Sequence, residues 1–425
     1  MGMTPADDIS IRVGLPTAGK PRLRPRPDGT HLLENLLIGK DFHWQQEICA
    51  ILPGEISLNP DHEFPLLCTL PLETYLECVA GSEMNPNSPI EFLRAHAIIS
   101  RSWALGKILR CHPEGRRGAL DKPGILVGWD DTAAHQGFHV CSDDHCQRFQ
   151  GLQPIPEPTR RAIADTTGIV IASRDGQLVD ARFSKCCGGT TELFSTCWQD
   201  IRMPGIESID DPWCNLSNMT DRARSHILNS VLKTYDLSTD GGYRWHAVTT
   251  KTEISQRLMA RFNRNIGEIQ TLTPIDRGPS GRIKLLRLTG TGGELLIGKE
   301  LWIRRLLAPA HLYSSAIEIK EEKNRIQLTG SGWGHGVGLC QIGAARMAHE
   351  GATAEEILAH YYPDTHLLHH TLLHHPAPCP LTPDPARSRH APVRNHTMNA
   401  ARTKKGAQFI PERRHSLRLG HYFPD

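Results

Sequence analysis

The chain has 425 residues, 39% of them hydrophobic and 22% charged, with a formal net charge of +2. This length allows one large or two ordinary domains with a full core, so we expect a globular protein. No apolar run approaches the length of a membrane span, and the segment Met1–Asp8 has neither a basic nor an apolar signal region, so we expect no transmembrane segment and see no export signal. The near-neutral charge gives no reason to expect a nucleic-acid partner.

The first elements predicted are strands followed by a short helix. Residues 11–15 are β-like, and residues 31–70 alternate apolar and polar side chains as short strands do. A helix is predicted next because apolar side chains recur at helical spacing, at Leu72, Tyr75, Leu76 and Val79. We expect Gly81 to end this helix.

A long second helix is predicted from Pro89 to about Leu109. Ser88 is the expected N-cap, Pro89 suits the first helical position, and Glu91 would complete a capping box. The inner face is expected to carry Leu93, Ala97, Ser100, Ala104 and Ile108.

The remainder of the chain mixes strands and helices. A hairpin is expected around residues 174–177, and residues 200–275 are interpreted as an insertion with helices near 222–235 and 252–264. Further strands are predicted at 283–288, 294–297, 316–320 and 325–329, and helices at 341–350 and from a capping box at Thr353–Glu356 to Pro363. Residues 376–425 carry nine Lys/Arg, three acidic residues and eight prolines, which predicts a basic, disordered tail.

The segment Gly332–Gly343 has glycine at alternate positions from 332 to 338 and displays His335 and Gln341. Such spacing supports neither helix nor strand, and it is typical of a loop that uses positive φ or approaches a ligand closely. The pattern lacks the Gly-Lys-Ser/Thr ending of a phosphate-binding loop. A glycine-rich turn leading into a helix is the alternative.

Several motifs together resemble the SpoIID/LytB family. They are Leu70–Met84 with its Ser-Glu-Met turn, Leu93–Trp103, Cys141–Gln147, Phe183–Gly189, the glycine loop and Tyr361–Pro363. The resemblance covers residues 10 to about 372 and implies an α+β fold, with antiparallel strands, a helical unit carrying a catalytic Glu, and an open substrate cleft. His96 stands where many members have Gln.

The resemblance implies a lytic transglycosylase that acts on peptidoglycan glycan strands. Such an enzyme cleaves the MurNAc-GlcNAc bond and leaves a 1,6-anhydro product, so one carboxyl group suffices as acid and then base, whereas an ordinary glycosidase needs two. The matching residue is Glu83, which we place on a turn after the first helix. A surface glutamate or a capping partner is the alternative from the residues alone.

Supporting roles follow from residue type and from the matched motifs. Arg101 is a candidate to orient Glu83 or hold substrate, although a helix arginine is more often in an ion pair. Substrate-binding candidates are Tyr75, Ser82, Trp333, His335 and Gln341. Tyr75 and Trp333 are equally compatible with burial in the core.

Cysteines and histidines cluster between residues 135 and 146. His135, Cys141, His145 and Cys146 suit tetrahedral zinc, although their spacing is wider than in a compact knuckle. The resemblance supports zinc here, with a structural or substrate-side role. A Cys141–Cys146 disulfide or two buried thiols are the alternatives. In the pair Cys186-Cys187 we expect one buried and one cleft-facing thiol.

Two other function classes remain open. The LytB branch is associated with stimulation of a cell-wall amidase, so the chain is alternatively a non-catalytic, glycan-binding amidase enhancer. A zinc-dependent peptide hydrolase is disfavoured because no His-Glu-x-x-His helix is present. A peptidoglycan substrate implies the cell envelope or periplasm. The family name refers to sporulation, but the motifs do not establish that process.

Overall fold

The fold is α+β, as predicted. The computed structural model describes residues 9–40, 45–59, 62–85, 87–109, 118–129, 135, 137–143, 145–232 and 242–374. The expected basic tail at 376–425 lies outside these residues. No helix in the described ranges is long and apolar enough to cross a bilayer.

Helices are distributed along the whole described chain. They are α1 (Leu72–Glu83), α2 (Ile90–Leu109), α3 (Glu157–Asp165), α4 (Phe194–Cys197), α5 (Asp221–Val231), α6 (Lys251–Phe262), α7 (Glu300–Leu307), α8 (Gln341–His349) and α9 (Ala354–Tyr361), with 3-10 turns at Pro212–Cys214 and His370–Leu372.

Strands alternate with these helices. They are β1 (Ser10–Leu15), β2 (Leu23–Pro25), β3 (His31–Ile38), β4 (Gln46–Leu52), β5 (Glu55–Leu58), β6 (Leu66–Pro71), β7 (Gly118–Lys122), β8 (Ile125–Trp129), β9 (Val140–Cys141), β10 (Ile169–Ser173), β11 (Phe183–Ser184), β12 (Arg244–Thr250), β13 (Ile269–Arg277), β14 (Ile283–Gly290), β15 (Gly293–Gly298), β16 (Ile317–Glu322), β17 (Arg325–Ser331), β18 (Leu339–Cys340) and β19 (Thr365–His369).

Most strands pair antiparallel in small sheets. The sheet orders are β5-β6-β1-β9, β2-β3-β4, β12-β17-β16 and β13-β14-β15-β8-β7, with the pairs β10-β19 and β11-β18. Parallel pairing joins β1 to β9, β15 to β8 and β11 to β18. The last pair places Ser184 opposite Cys340, the residue that precedes α8.

Helix α1 does not end at Gly81, which corrects the prediction. It continues to Glu83, so the predicted catalytic residue occupies the last helical position instead of a turn. A Cβ at position 81 would lie 2.9 Å from Gln153 Cβ. Glycine is therefore needed at position 81 for close packing against the 150s segment, and a contact so distant in sequence leaves no local signal.

Helix α2 has the predicted extent, but its predicted capping box does not form. The Ser88 hydroxyl donates to the carbonyls of Asn85 and Ser230. The Glu91 carboxylate instead accepts from Arg94 and from the backbone N–H of Ala354. Tertiary contacts with α5 and α9 thus take the place of local capping at this end.

The later elements match the predictions closely. Helices α5, α6, α8 and α9 and strands β14 to β17 all lie where the pattern placed them. The capping box at Thr353 forms, since its hydroxyl accepts from Glu356 N–H while the Glu356 carboxylate accepts from Thr353 N–H. Helices α3 and α7 were not predicted.

Three large hydrophobic clusters and one smaller cluster form the interior of the part of the chain that the structure describes. One joins α2, α8 and α9 with the β11 and β18 segments, and a second joins β1, β3 and β6 with α1. The third is built from residues 245–328 together with Leu126. A smaller cluster of Phe64, Leu67, Phe138 and Cys141 covers the predicted metal ligands.

Candidate functional site

Glu83 lies at the end of α1, and its carboxylate is held by the segment that contains Arg148. The residue is 7% exposed, and Oε1 accepts a hydrogen bond from the backbone N–H of Arg148 at 3.0 Å. Among the described residues, Oε2 has no hydrogen-bond partner. A carboxyl group fixed through one oxygen can carry and transfer a proton on the other.

Residues beside Glu83 attach the same segment to α1. Ser82 is buried; its hydroxyl donates to Cys78 O at 2.7 Å and accepts from the backbone N–H of Gln150 at 3.0 Å. The Tyr75 hydroxyl donates to Gln147 Oε1 at 3.1 Å, and its buried ring stacks on Phe149. Both predicted sugar-binding side chains therefore contact protein, and they hold residues 147–150 against α1.

The four predicted metal ligands come together. Ligand atoms of His135, Cys141, His145 and Cys146 all lie within 4.8 Å of one another. Cys146 Sγ is 3.5 Å from His145 Nδ1 and 3.9 Å from His135 Nε2, and Cys141 Sγ is 3.8 Å from His145 Nδ1. Two thiols and two imidazoles converging on one point form the donor set of a closed tetrahedral zinc site.

Local packing brings these ligands together. Cys141 ends β9, which pairs in parallel with β1, and the turn that follows returns Cys146 to Cys141. The His135 ring stacks on Phe138 at 4.7 Å and meets Phe64 edge-on at 6.0 Å. An apolar wall on one side restricts solvent access to the ligand set.

Arg101 is fully buried in α2, where it forms an ion pair with α1. Its Nε and Nη2 donate to the two Glu73 oxygens at 2.7 Å each, and Nη1 donates to Ile169 O at 3.1 Å. These bonds use the three guanidinium nitrogens to join α1, α2 and β10. The guanidinium contacts Glu73, and the structure records no contact between it and Glu83 in the described chain.

Gln341 connects the glycine loop to α2 through a buried histidine. Its Nε2 lies 3.2 Å from His96 Nε2, and His96 Nδ1 lies 3.2 Å from Ser100 Oγ. Burial, assisted by the positive charge of Lys185, lowers the pKa of His96 to about 3, so the imidazole is neutral. Gln341 is itself 1% exposed, and its amide is therefore committed to the protein interior.

His335 and Trp333, in the glycine loop, contact aromatic side chains from other parts of the chain. The His335 ring packs edge-on against Trp198 at 4.9 Å, and its Nδ1 accepts from Val337 N–H at 3.0 Å. Desolvation and the nearby Arg182, Arg282 and Arg304 hold its pKa well below the usual range. Trp333 is half-buried against Tyr313.

The glycine loop has the predicted backbone. Gly332, Gly334, Gly336 and Gly338 all have positive φ, from 71° to 94°. Arg282, which the sequence did not single out, donates to Gly334 O at 3.0 Å and to Cys187 O at 3.0 Å. A Cβ on Gly336 would lie 2.5 Å from its guanidinium carbon, so the alternating glycines make room for this arginine.

The pair Cys186-Cys187 differs from the prediction. Both cysteines are buried, because β11 runs beside β18 and α8 closes over the segment. The prediction of a cleft-facing thiol is thus wrong.

Arg148, like Arg282, is a residue that the sequence analysis missed. Its backbone N–H holds Glu83, and no side-chain pattern reveals such a contact.

Comparison with known proteins identifies the domain that carries this geometry. The family model "Stage II sporulation protein" matches residues 61–172, the range that includes Glu83, Arg101 and the metal-ligand cluster. The predicted resemblance to the SpoIID/LytB family is confirmed over this range. A second model, "Domain of unknown function (DUF8618)", matches residues 192–338. The predicted insertion at 200–275 lies inside this larger range.

Curated SpoIID/LytB relatives match over about 70% of the chain. Stage II sporulation protein D of Bacillus subtilis is 26% identical over 301 residues, which cover 70% of this chain and 74% of the relative. The protein of the same name from Bacillus amyloliquefaciens is 25% identical, with 69% and 73% covered. The amidase enhancer of Bacillus subtilis is 23% identical, with 69% of this chain but 40% of the enhancer covered.

Proposed function

We propose that this SpoIID/LytB protein is a peptidoglycan lytic transglycosylase that uses Glu83 as its single acid and base. The observation that carries the proposal is the carboxylate of Glu83, which is largely buried and anchored through Oε1, with Oε2 available for proton transfer. The family relationship supports a role in the cell wall.

The reaction requires only one carboxyl group. Protonated Oε2 donates its proton to the glycosidic oxygen as the bond from that oxygen to the MurNAc C1 breaks. The MurNAc 6-hydroxyl then bonds to C1 and gives its proton to the Glu83 carboxylate, which restores the acid. The products are a 1,6-anhydro-MurNAc end and a free GlcNAc end.

The proposed zinc ion has a structural role. His135, Cys141, His145 and Cys146 would hold it, and zinc bound there would fix the fold of the 135–146 segment. Residues 147–150 follow directly and hold Ser82 and Glu83. Four protein ligands leave no open position, which argues against the alternative of a zinc-activated water.

The glycine loop supplies the proposed glycan contacts. Trp333 and His335 retain exposed surface, whereas Tyr75, Ser82 and Gln341 are buried. We therefore assign substrate contact to Trp333 and His335 and positioning roles to the other three. A peptidoglycan substrate places the proposed activity in the cell envelope.

The test is mass spectrometry of purified peptidoglycan, both intact and stripped of peptides, after incubation with the protein. Wild type should release anhydro-muramyl products, and Glu83→Gln should release none above background. Glu77→Gln, on the same helix, is the matched control and should retain cleavage. Cleavage by Glu83→Gln at the wild-type rate would refute the assignment of the acid.

The similarity to an amidase enhancer supports a second candidate, a glycan-binding protein that stimulates a cell-wall amidase. In that case neither wild type nor Glu83→Gln cleaves glycan, both bind peptide-stripped strands in a pull-down, and both raise the rate of an added N-acetylmuramoyl-L-alanine amidase. A requirement for Glu83 in glycan cleavage separates the two candidates.

A further inference from the structure

A second group of metal-ligating side chains lies away from the predicted zinc ligands. The ligand atoms of Cys187, Asp211, Cys214 and Cys340 all lie within 4.8 Å of one another, and all four residues are buried. Cys187 Sγ is 3.4 Å from Cys214 Sγ and 3.1 Å from Asp211 Oδ2. We call this group the thiol cluster.

Three separate parts of the chain build the thiol cluster. Cys187 follows β11 and Cys340 ends β18, and these two strands pair in parallel. Asp211 is the N-cap of a single 3-10 turn that ends at Cys214, with Trp213 N–H donating to Asp211 Oδ1 at 3.1 Å. An Asp-x2-Cys turn has the spacing of a metal-binding knuckle with a carboxylate in place of the first thiolate.

The backbone around the cluster is arranged for thiolates. Cys187 N–H points at Cys340 Sγ at 3.3 Å, and Gly189 N–H points at Cys187 Sγ at 3.4 Å. Such donors stabilise negative charge on ligating sulfur and orient the ligands. Gly343 allows the approach of Asp211, because a Cβ there would lie 2.7 Å from Asp211 Oδ2.

The Asp211 carboxylate supplies an independent observation. The residue is 0% exposed, and among the described residues the basic group at ion-pair distance is His360, whose Nε2 lies 4.0 Å from Oδ1. A buried carboxylate surrounded by thiols is costly unless a proton or a cation neutralises it. A divalent ion at the centre of the cluster would supply that charge.

From this geometry we propose that Cys187, Asp211, Cys214 and Cys340 bind a second zinc ion. Three sulfur donors and one carboxylate favour zinc over magnesium or calcium, which prefer oxygen ligands. Binding releases the thiol protons to solvent and leaves three thiolates on the metal. Four buried protein ligands make this a structural site.

The second zinc fixes the point at which the glycine loop passes into α8. Cys340 immediately precedes Gln341, which begins α8 and contacts His96. The ion therefore ties this point of the loop to β11 and to the Asp211 turn. The proposal does not depend on glycan cleavage, because it concerns metal content alone.

The test measures zinc by elemental mass spectrometry on the reduced, full-length protein. Wild type should hold two zinc ions per chain, and Cys214→Ser and Cys146→Ser should each hold one. The two substitutions together should leave none. Cys78→Ser, which removes a buried thiol from α1, is the matched control and should keep both ions.

A second measurement covers the case in which Cys214→Ser does not fold. Cobalt-substituted Cys146→Ser should show thiolate-to-cobalt charge-transfer absorption from the remaining three-thiolate site, and Cys214→His should restore the second zinc. One zinc in wild type that disappears in Cys146→Ser would overturn the proposal. So would a Cys187–Cys214 disulfide in the non-reduced intact mass, because that bond uses two of the ligands.

Discussion

The backbone N–H of Arg148 donates to Glu83 Oε1 at 3.0 Å, and Arg148 is only two residues beyond the metal-ligand candidate Cys146. The proposed acid is thus positioned by the segment that the proposed zinc would order. The proposal therefore links metal binding to catalysis through this segment, and that link can be measured.

Cys146→Ser should lower glycan cleavage by about 100-fold, because a small displacement of residues 147–150 moves Glu83 away from its productive position. The measurements are zinc content and the rate of anhydro-muramyl product release. Cys68→Ser, a buried thiol in β6, is the control and should keep the wild-type rate. A zinc-depleted Cys146→Ser with full activity would contradict the link.

Arg101→Met should lower the free energy of unfolding by about 3 kcal/mol, because it leaves Glu73 without its buried partner. The measurement is urea denaturation in a double-mutant cycle with Glu73→Gln. The double variant should lose clearly less than the sum of the two single losses. Additive losses would show that the ion pair is not the stabilising unit.

Acid stability should depend on His96. In the unfolded chain a histidine takes up a proton near pH 6.5, whereas burial lowers the pKa of folded His96 to about 3. The unfolded state therefore binds more protons between these pH values, and stability falls as the pH is lowered through this window, by about 1.4 kcal/mol per pH unit from this site.

The variant that tests this prediction is His96→Gln, which removes the titrating group and retains hydrogen-bonding capacity towards Gln341. Its free energy of unfolding, measured with urea at pH 7 and pH 4.5, should fall less on acidification than that of wild type. Equal losses in both proteins would assign the acid sensitivity to other groups, such as His335, whose pKa is also held low.

Gly336→Ala should destabilise the glycine loop for two reasons. Its φ is +79°, and the new Cβ would lie 2.5 Å from Arg282. Gly281→Ala is a matched control, because Gly281 has φ +80° and open space around the Cβ position. We expect about 1 kcal/mol loss for Gly281→Ala and about 3 kcal/mol for Gly336→Ala, measured by urea denaturation. Equal losses would exclude the steric contribution of Arg282.

The predictable parts of the fold are those with strong local periodicity. Helix α2 and the Thr353 capping box depend on residues within one or two turns, so sequence alone locates them. The end of α1 could not be predicted, because the role of Gly81 depends on Gln153, far along the chain. The same holds for Ser88, whose hydroxyl bonds the carbonyl of Ser230.

The candidate site likewise has one part that local sequence predicts and another part that depends on distant contacts. His135, Cys141, His145 and Cys146 lie within twelve residues, so their spacing already indicates a ligand set. The residues of the thiol cluster are spread from position 187 to position 340, so the sequence around Cys187 does not indicate which residues lie beside it. Arg282 contacts the backbone carbonyls of Gly334 in the glycine loop and of Cys187, and such contacts have no sequence pattern.

The parallel bridge between Glu192 and Val337 brings together the two ends of the range matched by the second family model, 192–338. A domain whose entry and exit points touch can be gained, lost or exchanged without separating the strands that receive it. Residues 192–338 thus leave and re-enter the rest of the chain at one point, yet they are integrated with it, because β15 pairs with β8 and Phe194, Cys197 and Cys214 lie in the hydrophobic cluster of α2, α8 and α9.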